Sequence, residues 1–238
     1  QKNKHLKRAK TLLCYNYVDA NGGSLMKLYT IVRDFQYEIV IEKSRFICTL
    51  KKAATEEEAQ DFIKETKKKY WDATHNCSAY IIGEGGLAQR SNDDGEPSGT
   101  AGLPMLEVLR KNNLHNVAAV VTRYFGGIKL GAGGLVRAYT NSVAAAIEEA
   151  GIAEKVLFGY YSFVQDINSA GKVLNILYQQ NLFTVGNVEY GVDAKIMLRM
   201  PMSVKTEAEG WLTEALNKEV ELIKEKEEYE EQPLTSHK

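Results

Sequence analysis

The sequence predicts an α+β protein of two domains, on three observations. Its 238 residues suit two medium domains with real cores. An Ala-rich helical stretch stops at Gly151. Beyond that glycine a fresh series of elements begins in the order strand, helix, strand, strand, helix, strand, the βαββαβ order of a ferredoxin-like unit. The expected organisation is a leader or appended segment over residues 1–25, a first domain over 26–151 and a ferredoxin-like domain over 152–238.

Each element has its own signal. Residues 37–52 alternate and are rich in β-formers, with Lys43-Ser44-Arg45 dividing two short strands. Thr55, followed three residues later by Glu58, is a capping box for the helix EEEAQDFIKETKKKY, whose acidic start and basic end suit the helix dipole. Residues 77–83 and the run NVAAVVTRYF from Asn116 read as buried strands. Between them SNDDGEPSGTAGLPMLEVLRKN is an acidic turn leading into a helix, and LVRAYTNSVAAAIEEAG is the helix that Gly151 ends. The second domain is expected as strand 156–164, helix 169–180, strands 182–190 and 194–200 joined at Gly191-Val192-Asp193, helix 204–217 and strand 220–229. The charged run ELIKEKEEYEE fits an exposed edge strand whose charges oppose aggregation.

Composition narrows the function classes. Thirty Lys and Arg stand against 31 Asp and Glu, so global charge does not argue for a nucleic-acid partner, although residues 1–25 are basic. Cys14, Cys48 and Cys77 form no Cys-x-x-Cys pair, and His5, His75, His115 and His237 show no ligand spacing, which argues against a disulfide framework and a zinc site. Cys77 opens an apolar run and reads as a buried structural thiol. No stretch has the apolar length of a membrane span, and a cytoplasmic setting without membrane contact is expected.

Five glycines stand in nine positions between Gly126 and Gly134, inside RYFGGIKLGAGGLVRAY. A P-loop requires Lys after its last glycine, but Lys129 precedes Gly131; a dinucleotide fingerprint starting at Gly131 meets Val136 where Gly or Ala is required. Two readings survive: glycine amides at a helix start that bind an anion with help from Lys129 and Arg137, and a tight strand-to-helix turn packed under its neighbours. Under either, a branched residue at Gly133 is expected to break the fold. In the acidic turn, Asp93, Asp94 and Glu96 are a conceivable hard-cation set; the alternative is a turn in which Ser98 or Thr100 caps the next helix.

Taken in order, KSRFI, DDGEPSGTAGLPML and VVTRYFGGIKLGAGGLVRAY closely resemble the IMPACT/YigZ family in its bacterial two-domain form, from about Met26 onward. The resemblance implies a first domain folded like the fourth domain of elongation factor G and a second comparable to its fifth. It also implies a link to translation, since eukaryotic relatives regulate translation through protein contacts; it brings no catalytic residues. The binding set expected from the residues is Arg123, Gly126, Gly127, Lys129, Gly131, Gly133, Gly134 and Arg137, with Ser98 and Thr100 from the acidic turn. Tyr124, Phe125 and Tyr139 would add stackable rings, and Arg90 and Lys43-Ser44-Arg45 would join if the sheet brings these loops together. The competing reading buries Tyr124, Phe125 and Tyr139 and pairs Arg137 with Asp93 or Asp94.

Two functions follow. The first is a non-enzymatic regulator linked to translation that binds RNA, the ribosome or a regulatory protein without a cofactor. The second is an enzyme acting on an anionic or phosphorylated small molecule, with the glycine loop as anion site and the three carboxylates holding a metal.

Overall fold

The computed structural model describes residues 17–18, 24–25, 27–83 and 86–234. The expected leader, Cys14, His5 and His237 therefore lie outside the described residues, apart from a short antiparallel pair, β1 (Tyr17–Val18) and β2 (Ser24–Leu25). The chain divides into two compact units, one built on Met26–Glu154 with a return at Gln232, the other on Lys155–Glu231. The protein is α+β: the sheet of the first unit has a core on each face, and the sheet of the second unit has a core of its own.

The first unit runs β3 (Leu28–Ile31), β4 (Phe35–Ile41), β5 (Ser44–Lys52), α1 (Glu56–Lys69), β6 (His75–Ile82), β7 (Ala88–Asn92), α2 (Gly102–Lys111), β8 (Val117–Tyr124) and α3 (Gly131–Ala150). Its antiparallel sheet has the order β4-β5-β8-β6-β7. β8 is central and its residues from Val117 to Arg123 are all buried. Strand periodicity sorts them: Val117, Ala119 and Val121 join the core under α2 and α3, while Ala118 and Val120 join the smaller core under α1. That two-sided burial explains a continuous apolar run with no polar alternation.

The capping box behaves as its spacing predicts. Thr55 Oγ1 accepts from the Glu58 amide, and Glu58 accepts from the Ala54 amide. The β4–β5 hairpin turns at Glu42 and Lys43, both with positive φ, so Ser44 and Arg45 already belong to β5. β7 is a finding the sequence reading missed: AQRSN carries no β-branched or aromatic residue, and its pairing to β6 supplies what propensity does not.

The second unit contains β9 (Ile152–Asp166), whose first residues belong to the first unit, then α4 (Ile167–Leu177), β10 (Thr184–Tyr190), β11 (Asp193–Pro201), α5 (Lys205–Leu216) and β12 (Ile223–Pro233). The strand order β10-β11-β9-β12 is that of a ferredoxin-like sheet. Tyr161, Phe163, Ile196 and Leu198 of the sheet pack with Val173, Leu177 and Leu212 of the helices. Asp166 caps α4 by accepting from the amides of Asn168 and Ser169. β12 is exposed and charged along nearly its whole length, as an edge strand tolerates.

Candidate functional site

The glycine loop joins β8 to α3. A Cβ at Gly126 would overlap the backbone of Lys43 and Ser44, and the Gly126 amide donates to Ser44 Oγ at 3.1 Å. The Phe125 amide donates to Thr74 Oγ1 at 3.0 Å, and the Thr74 amide to the Arg123 carbonyl at 2.9 Å. Three segments are thereby fastened at one end of the sheet: the 42–45 turn, the chain that leaves α1, and the glycine loop. The Lys43-Ser44-Arg45 turn does join the loop.

This end is rich in cations and rings. Arg45 lies over Tyr124 at 5.4 Å and is gripped by both oxygens of Glu38 at 2.9 Å; Lys69 lies over Tyr70 at 5.0 Å. Trp71 is 82% exposed, and Phe125 and Ile128 are also exposed. Lys129 and Arg137 are exposed and have no hydrogen bond or ion pair among the described residues. Gly131 and Gly133 are exposed in the first turn of α3, where no side chain caps the helix. Its leading amides lack intrahelical acceptors, and a helix start attracts negative charge.

Beneath the loop lies a buried polar junction. Glu96 Oε1 accepts from Arg123 at 2.6 Å and from the Tyr139 hydroxyl at 2.8 Å, with Glu96 and Arg123 both buried. The Cys77 thiol donates to the Asp93 carbonyl at 2.9 Å and lies 3.3 Å from the Tyr139 hydroxyl. His75 Nε2 is 3.8 Å from Glu96 Oε2, while Nδ1 is 2.8 Å from the Asp94 carbonyl. The Arg123 guanidinium sits between Phe46 and Phe125, 5.4 and 5.6 Å from their centroids, and its buried Nε has no partner. Burial pushes the Cys77 thiol up to about 12, so it stays protonated and is no nucleophile at neutral pH.

The two motif loops thus meet, but through Glu96 and Arg123. Arg123 is therefore not a free binding cation, and Arg137 does not pair with Asp93 or Asp94: it stands exposed on α3. Tyr139 is fully buried, as the competing reading has it, whereas Phe125 is 47% exposed and only starts the loop. Arg90 is not at this end; it reaches Glu56 at 3.3 Å, beside the start of α1.

The acidic turn folds around its own carboxylates. Asp93 accepts from the amides of Gly99, Ala101 and Gly102 at 2.8 to 3.0 Å, so Asp93, not Ser98 or Thr100, caps α2. Ser98 is exposed, and Thr100 is buried with its hydroxyl on the Pro97 carbonyl. Asp94 accepts from Lys67 Nζ and the Asn76 amide, both at 2.6 Å. Burial raises both aspartates, but the backbone donors to Asp93, and Lys67 with the Asn76 amide at Asp94, outweigh it and hold both below the usual range. Asp93, Asp94 and Glu96 point at separate partners, and no three His, Cys, Asp or Glu converge as a metal site among the described residues. Sequence reasoning missed Thr74 and Trp71; the signal within reach was a tryptophan two residues beyond the basic end of α1.

Residues 42–147 match the Impact N-terminal domain. A Bacillus subtilis protein, IMPACT family member YvyE, is 47% identical over 193 residues, 81% of this chain and 88% of its own. A crystal structure described as that of a hypothetical protein superposes on 85% of this chain and 99% of its own, with a TM-score of 0.53 at 29% identity. The translational regulator Yih1, described as two-domain, aligns with 52% of this chain and 47% of its own at 25% identity, with a TM-score of 0.31. Fold and match define a two-domain α+β protein whose first domain is of the Impact type. The chain belongs to the IMPACT family. No helix among the described residues is long and apolar enough to cross a membrane.

Proposed function

We propose that the chain is a non-enzymatic regulator linked to translation, which contacts RNA or the ribosome through the glycine-loop end of its first unit. The observation that carries this reading is the pair of unengaged cations, Lys129 and Arg137, beside an uncapped helix start and the exposed rings of Phe125 and Trp71. Cations attract a phosphate backbone, and exposed rings accept unstacked bases. Family membership supports the link to translation. The enzyme alternative is weakened because the oxygens it requires for a metal are engaged by Arg123, Lys67 and backbone amides, and the nearby thiol is held protonated.

The test is ribosome co-sedimentation over a range of salt with Lys129→Glu and Arg137→Glu, each shown to be folded. Each variant should bind more weakly than the parent and with a shallower salt dependence. Equal binding by both at every salt concentration refutes the reading and leaves the loop a structural turn, with a protein partner to be sought on the charged second unit.

A further inference from the structure

A second cationic feature lies on the α1 face of the same sheet. α1 covers β8 and β6 but leaves a groove against the β6–β7 hairpin, walled by Lys64 and Lys67 on the helix and by Arg90, Ser78, Ser91 and Asn92 on the strands. No carboxylate lines it. Two acids sit at its margins and fix its cations: Glu56 holds Arg90 through Nε, and Asp94 holds Lys67. Arg90 also interacts with the Tyr80 hydroxyl and has further N–H groups to offer, and Lys67 Nζ keeps two of its three protons. Lys64 is exposed, with no partner among the described residues.

The neutral groups point the same way. Asn92 Oδ1 accepts from the Asp94 amide at 2.7 Å, which orients the side-chain amide so that its two N–H donors remain. The hydroxyls of Ser78 and Ser91 are likewise unengaged among the described residues. Gln60, Ile63 and Tyr80 complete the wall, so the groove sets cations and unengaged donors beside an apolar flank.

We infer that this groove is a binding site for a phosphate-bearing ligand. A phosphate offers three strong acceptor oxygens and a charge approaching −2, matching the unpaired Lys64, the N–H groups that Arg90 and Lys67 have left, and several neutral donors. A carboxylate offers two oxygens and one charge, and leaves donors unanswered. The forked guanidinium of Arg90 fits a phosphate edge, and the lysines act as point charges beside it. The phosphate could be that of a free nucleotide or of a single-stranded RNA backbone. The site is separate from Lys129 and Arg137, so the inference does not rest on the reading above.

Backbone amide shifts of the full-length chain, titrated with inorganic phosphate, AMP and an oligouridylate, test this. Shifts should concentrate at Ser78, Arg90, Ser91 and Asn92, and Lys64→Glu and Arg90→Gln should each weaken binding at least tenfold. Lys129→Glu should titrate here like the parent, which separates this site from the glycine loop. A response to phosphate and AMP assigns a free-nucleotide ligand, and a response to the oligonucleotide alone assigns an RNA backbone. If shifts fall elsewhere, if both groove variants bind like the parent, or if a polyglutamate peptide binds as tightly as any phosphate compound, the inference fails.

Discussion

The acidic turn and the glycine loop are neighbours in space and opposites in how they use charge. In the turn, Asp93, Asp94 and Glu96 are each engaged at close range by amides, Lys67, Arg123 or Tyr139. In the loop, Lys129 and Arg137 have no partner among the described residues, and the helix start behind them has no side-chain cap. Each segment carries charge of a single sign in the sequence. What separates them is which groups the fold has already satisfied: the turn is part of the structure's own support, while the loop holds unused interaction capacity at the surface.

That contrast breaks most sharply at the junction beneath. Glu96→Ala leaves the Arg123 charge buried and unpaired, and should cost about 3–5 kcal/mol in calorimetric stability. The double variant Glu96→Leu with Arg123→Met should lose less than the single change, because neither charge remains. A small loss for Glu96→Ala would show that the turn is not structural support.

Asp93→Ala removes the cap of α2 and should cost about 0.5–2 kcal/mol. The pH dependence has a definite sign. The folded-state values of Asp93 and Asp94 lie below their unfolded values, so their stabilisation is present above the unfolded value of about 3.9 and is lost as pH falls through the lower folded values. Melting temperature of the parent should fall over that acid range more steeply than that of the Asp93→Ala, Asp94→Ala double variant.

In the loop the effects shrink and one changes sign. Gly133 has no positive φ, and a Cβ there meets nothing within 4 Å, so neither ground for expecting a branched residue to break the fold holds. Gly133→Ala should stabilise by about 0.4–1 kcal/mol, by limiting the unfolded chain. Lys129→Glu and Arg137→Glu should each change stability by less than about 0.5 kcal/mol in thermal unfolding. A larger loss would mean that these cations serve the fold after all.

The same contrast explains what could be read from sequence. β8, α3 and the capping box of α1 were legible because each has a local signal, apolar continuity, an Ala-rich run ending in glycine, or Thr-x-x-Glu. The βαββαβ order was legible because its strands alternate. The partners of Arg123 and Asp94 were not, since Glu96 lies 27 residues from Arg123 and Lys67 27 from Asp94, and side-chain pairing at that range is set by strand register. Which glycine is indispensable was equally hidden. All five look alike in sequence, yet the approach of Lys43, 83 positions earlier, makes a side chain at Gly126 impossible, and Gly127 and Gly131 are set apart by a positive φ.

The central place of β8 also bears on how the first unit is made. A ribosome delivers β5, α1, β6 and β7 before β8, yet β5 and β6 touch one another only through that later strand. Until residue 124 has emerged, the nascent chain carries two half-sheets, each with an open inner edge and apolar faces awaiting the same partner. The unit therefore cannot complete its core piecemeal from the N-terminus. The sheet closes only once β8 has emerged, α3 completes the core after it, and chains halted before that point leave apolar edges open to misassociation.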